Sequence, residues 1–158
     1  MFDVLKQYIV TGYMKFKDGQ IFFGKEKIAF YFVPHLVREI TYNYKLFGLK
    51  YGASMFLAGV KQGEIFVQKH GIPLKKHLAM VVKISCEVLA QFGFGNFRTL
   101  KVNEKDGFMI IVGKSTLALD FKENFKVSEH PIDFMLAGLF TGALTHYAQK
   151  KLYCIEIA

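Results

Sequence analysis

The chain has 158 residues, 52% hydrophobic and 16% aromatic, with seventeen Phe, eight Tyr and no Trp. That is one domain of ordinary size with material for a full core, and two cysteines exclude a disulfide framework, so a reducing compartment is expected. The net charge is +8, but the cations are spread from Lys25/Lys27 through Lys61, Lys69 and Lys75/Lys76 to Lys101 and Lys150/Lys151. Only Arg38 and Arg98 of the twenty-one are arginine, which argues against specific nucleic-acid binding.

Such an apolar composition fits either a thick core with a self-association surface or a core built around an apolar cavity, and composition leaves both open. The longest uncharged run, Phe134 to Gln149, contains Gln, His, Tyr and two Thr, and it falls short of the roughly 20 apolar residues of a membrane span. The start, MFDVLKQYIV, lacks the cationic and apolar regions of a signal peptide. A cytoplasmic protein is expected.

In chain order, residues 8 to 23 alternate and turn. Asp18-Gly19 between Tyr13–Phe16 and Ile21–Phe23 predicts a hairpin, and a third strand is expected over Ile28–Val33, stopping at Pro34. Pro34 opens a first helix with Leu36, Ile40, Tyr44 and Phe47 on one face, and Gly48 is its stop. A second helix runs from Leu49 or Tyr51 to about His70. Gly48/Gly52 and Gly59/Gly63 repeat there at four-residue spacing. Each interior glycine costs about 1 kcal/mol against alanine, and close approach of another helix or of a ligand is the reason to expect.

Pro73 starts a third helix, with Leu74, Leu78, Val81 or Val82, Ser85 and Val88/Leu89 on its buried face, ended by Gly93 and Gly95. Asn96–Val102 and Phe108–Val112 then form a second hairpin through Asp106-Gly107. Ser115 is expected to N-cap a short helix over residues 115–121, and residues 122–129 read as a polar connection. Pro131 and Asp133 suit the first turn of a last helix, in which Gly138 and Gly142 share a face. Lys150 and Lys151 close it, and Leu152–Ile157 reads as a strand. A helix so apolar belongs inside. Hairpins around a helical block predict an α+β fold in which an antiparallel sheet packs against that block, as one domain over residues 1–158.

The Gly138-x-x-x-Gly142 helix, the strand Leu152-Tyr153-Cys154-Ile155-Glu156 and the turn Gly93-Phe94-Gly95 resemble the 4-vinyl-reductase, or hydrocarbon-binding, domain family. The resemblance implies a fold like that of the small subunits of the TRAPP transport complex and of haem-based nitric-oxide sensor domains. It also implies a pocket between sheet and helices for a hydrophobic or aromatic ligand, and pairing of two chains. Many relatives hold a structural zinc by a Cys or His before the glycine helix and by cysteines after the glutamate of the last strand. His130 stands in the first place, with Cys154 and Glu156 as the remaining nearby donors. The later cysteines would fall beyond Ala158, so further chain is expected there.

For catalysis the sequence offers little. There is no Gly-x-Ser-x-Gly, no P-loop and no dinucleotide fingerprint, and Cys86 in an apolar helix reads as an inert thiol. No catalytic residue is assigned, and a non-enzyme is expected. The residues that helices and strands would turn toward an apolar ligand are Tyr51, Met55, Phe56, His77, Met80, Val81, Ile84, Phe108, Ile110 and Phe134, with His77 or Tyr51 as the polar group that orients it. Each also reads as ordinary core. The leading expectation is a stand-alone sensor, carrier or regulatory domain for a small hydrophobic ligand, acting as a homodimer through a regulatory protein partner. A filled interaction module is the alternative, and a reductase of a vinyl or tetrapyrrole substrate the third.

Overall fold

Short-range turn chemistry sets the β content. In the computed structural model, which describes residues 6, 9–28, 33–70, 78–103, 105–125 and 132–157, β1 (Met14–Lys17) and β2 (Gln20–Phe23) pair antiparallel, with Lys17 opposite Gln20. Asp18 and Gly19 between them have φ of 50° and 72°, the left-handed pair that a two-residue type I′ hairpin requires. β3 (Glu26–Ile28) adds to β2, closer to the hairpin than the expected Ile28–Val33. Ile9 and Val10, read as part of a β-rich stretch, are helical.

The helical block follows. α1 (Val33–Phe47) stops at Gly48, φ 57°, and α2 (Leu49–His70) starts at once. α1 buries Val37 and Ile40, while Phe47, expected on the inner face, is exposed. α3 (Leu78–Gln91) ends in a Schellman motif: Phe94 N–H donates to Leu89 O and Gly93 N–H to Ala90 O, with Gly93 at φ 82°. The proposed start of this helix at Pro73 lies outside the described residues.

β4 (Gly95–Asn103) and β5 (Phe108–Ser115) form a second, separate antiparallel sheet with a bulge at Leu100. Ser115 then caps α4 (Thr116–Phe125), its Oγ accepting from Ala118 N–H at 3.3 Å. α5 (Phe134–Ala148) closes the fold and is the most buried helix described, with Leu136, Phe140, Thr141, Ala143, Leu144 and Tyr147 inside. The fold is α+β, with two small antiparallel sheets rather than one among the described residues.

α2 and α5 carry the interlocking glycines. Gly59 and Gly63 lie on the Met135–Leu139 and Leu139–Ala143 backbone, while Gly138 and Gly142 lie on the Phe56 and Val60 carbonyls. Contact positions rise together along both helices, so the two run in the same direction. A Cβ at any of these four positions would lie far inside van der Waals contact distance of a backbone oxygen. Close approach of a helix, rather than of a ligand, explains them.

Two clusters make the core. The larger gathers Val67, Val81, Val82, Cys86, Leu89, Leu136, Phe140 and Tyr147, covered by Phe97, Met109, Ile111, Leu152 and Cys154. The smaller joins Val37 and Ile40 of α1 to Leu117 of α4, flanked by Tyr51 and Phe121.

Residues 152–157 pair with no strand among the described residues, which corrects the expected final strand. The reason is a substitute partner. Leu152 N–H donates to Thr145 Oγ1 at 3.1 Å and Cys154 N–H to Thr141 Oγ1 at 2.9 Å. Two residues of extended chain rise about 6.6 Å and four of helix about 6 Å, so alternate amides meet hydroxyls one turn apart.

Candidate ligand-binding region

The side chains expected to line a pocket divide between the two clusters. Tyr51, Met55 and Phe56 lie half-buried on α2, and Phe134 begins α5, its ring stacked on Tyr44 at 5.9 Å and 15°. Gly52 makes room for that ring: a Cβ there would lie 2.8 Å from Phe134 Cζ. Tyr51 packs on the smaller cluster. Burial raises the Tyr51 pKa, the Asn43 side chain opposes this and the Glu39 charge adds to it.

The second group is only partly inward. Val81 is fully buried in the larger cluster, and Ile84 is half-buried. Met80 is 49% exposed and Phe108 42% exposed, with Lys101 Nζ 5.2 Å from the Phe108 ring centre. On β5 it is Met109 and Ile111 that cover the core, so Phe108 and Ile110 belong to the opposite face of the pleat. That reverses the expected parity. His77 and His130 lie outside the described residues. The structure thus joins Tyr51 and Phe134 to the α1 side of the molecule and Val81 to the sheet side, and does not gather the nine described ones around one space.

Two polar atoms not singled out from the sequence are enclosed. Thr99 Oγ1 and Asp120 Oδ2 are buried without a hydrogen-bond partner among the described residues. Thr99 pairs with Ile111 and shares the inner face of β4 with Phe97, so its hydroxyl stands in the apolar layer between the second sheet and α3/α5. A buried hydroxyl left unmade costs about 1–3 kcal/mol, and such a group calls for an explanation. In the sequence it is one Thr in a strand, where Thr is ordinary.

At the head of α5 a polar network ties three segments together. Ser115 Oγ donates to Asp133 Oδ1 at 2.9 Å, and Glu156 Oε2 accepts from the Ile132 and Asp133 amides at 3.1 and 3.0 Å. Burial pushes the Asp133 carboxyl up to about 6, the Ser115 bond pulls it down and the Glu156 charge raises it. The Cys154 thiol is also raised, by burial first and then by Glu156. These facts bear on the zinc expectation. A structural zinc takes about four ligands, with cysteines as thiolates. Among the described residues no three His, Cys, Asp or Glu gather around one point, and Glu156 is engaged with backbone amides. The described donors by themselves do not make up the four ligands of a structural zinc.

An open cleft of 420 Å³ lies elsewhere, lined by Glu64, Gln68, Thr145, His146, Gln149, Lys150 and Lys151 at the ends of α2 and α5. Its lining is polar, and none of the nine described apolar-site residues belongs to it. Among the described residues no helix is long and apolar enough to cross a membrane.

No family model matches the sequence, and no curated protein does. In structure the chain is similar to the phenol-responsive sensory domain of the transcription activator PoxR, determined in a crystal with phenol. The TM-score is 0.70 at 15% identity, covering 96% of this chain and 79% of that one. The likeness is one of fold.

Proposed function

We propose that this chain binds a small hydrophobic or aromatic molecule as a stand-alone sensor or carrier domain of the hydrocarbon-binding type. The observation that carries the reading is the fold, shared along nearly the whole chain with a domain whose crystal holds phenol. The chain's own residues support it at Thr99, where a hydroxyl without a partner faces an apolar layer. A phenol or aromatic alcohol supplies both the ring for that layer and the polar atom for the hydroxyl.

Calorimetric titration with phenol, cresols and benzene tests this. Phenols are expected to bind more tightly than benzene, with Thr99→Val removing about tenfold of that preference, the worth of one hydrogen bond. Absence of heat and of any melting shift with all three compounds would remove the proposal.

The second reading, an interaction module with a filled interior, is favoured by the backbone-to-backbone packing of α2 on α5, which leaves no room between them. Pairing of two chains fits either reading. The exposed Tyr42, Leu46, Phe47 and Leu49 around the α1–α2 turn supply an apolar patch of the kind that marks interfaces. Both cysteines are free, in keeping with a reducing compartment.

A further inference from the structure

We infer that the outer edge of residues 153–157 is a docking strand for an extended, acidic segment of a partner protein. The segment alternates strictly: Leu152, Cys154 and Glu156 turn inward, while Tyr153, Ile155 and Ile157 are 69%, 77% and 81% exposed. Leu152 sends both backbone groups to Thr145 and Cys154 sends its amide to Thr141. In an extended chain the next residues point their N–H and C=O the other way. Tyr153 and Ile155 therefore present two donors and two acceptors on the side away from α5, and no strand among the described residues pairs with them. An apolar strand edge left open in this way is a template for another strand.

Charge selects the occupant. Lys150 and Lys151 stand at the head of the edge, beside His146 in the 420 Å³ cleft. Neither lysine has an ion-pair partner among the described residues, whereas Glu64 in the same cleft is paired with Lys61 at 3.3 Å. Lys151 Nζ lies 5.2 Å from the Tyr153 ring centre, joining the cationic end to the apolar row. With a chain charge of +8, the edge attracts an acidic strand and disfavours a second copy. The inference does not depend on what fills the interior.

The probe is a fluorescein-labelled peptide of alternating Val and Thr flanked by Glu at both ends, compared with a Lys-flanked version and one interrupted by Pro. The Glu peptide is expected to bind about tenfold tighter than the Lys peptide at low salt, and the Pro peptide not at all. Ile155→Pro, which deletes one outward donor, and the pair Lys150→Glu with Lys151→Glu are each expected to weaken the Glu peptide about tenfold with an unchanged circular-dichroism spectrum. Hydrogen exchange on the unsubstituted chain gives a readout independent of variant folding. The Tyr153 and Ile155 amides exchange fast until the Glu peptide slows them, while Leu152 and Cys154 stay slow throughout. Failure of the Glu peptide to bind at millimolar concentration would overturn the inference. So would equal binding of the Glu and Lys peptides, or a dimer dispersed by Ile155→Lys, which would assign the edge to a second copy.

Discussion

Among the described residues, Asp133 is the one whose chemistry the fold alters most. Its carboxyl sits between Ser115 and Glu156, with a pKa of about 6 against 3.8 for the free side chain. The folded chain therefore holds more protons than the unfolded chain between those values. The contribution to stability is fully present below about pH 4 and is lost as pH rises through 6, because the buried group must then ionise. Asp133→Asn, which keeps an acceptor for Ser115, is expected to abolish that decline and to stabilise the protein at neutral pH by up to about 3 kcal/mol. Urea unfolding across this pH range checks it, and parallel profiles for the two proteins would refute the assignment. Ser115 has two duties, capping α4 through Ala118 and donating to Asp133. Ser115→Ala is expected to cost about 1–2 kcal/mol in the same measurement.

Among the elements, the α2–α5 pair carries the most demanding contact. Alanine at Gly59 or Gly138 places a methyl against a backbone carbonyl that has no flexible side chain to yield. Each substitution is expected to cost about 1–3 kcal/mol and to lower the melting temperature by several degrees, whereas equal melting would mean that the helices separate freely. The four-residue glycine spacing made this packing legible in the sequence, as Asp18-Gly19 and Asp106-Gly107 did for the hairpins and Gly48 and Gly93 for the helix ends. Strand parity was not legible. The run Phe108-Met109-Ile110-Ile111-Val112 is apolar at every position, so nothing in it distinguishes the inner face from the outer. The state of residues 152–157 escaped for a different reason. Their alternation is that of a strand, but the partners that hold their amides are the hydroxyls of Thr141 and Thr145 on a helix.

At the scale of the molecule, the order of elements and the α+β class follow from local signals, while the site depends on what no local signal records. Thr99 is enclosed because the bulge at Leu100 and the pairing with Ile111 turn it toward α3 and α5. Tyr51 and Phe134 meet the α1 side because α2 and α5 run in the same direction, a topology set by the glycine seam. The apolar surplus of the composition is divided between two modest cores and a surface that keeps Tyr42, Leu46 and Phe47 in water. Such a surface is consistent with pairing of chains.

The measurement closest to the central claim is native mass spectrometry of the purified protein, before and after exposure to phenol and a set of apolar aromatics, with solvent extraction of whatever is carried. A complex with one small apolar molecule per chain is expected, lost on extraction and restored by phenol. A bare mass that no aromatic compound shifts would contradict it and leave the filled interaction module standing.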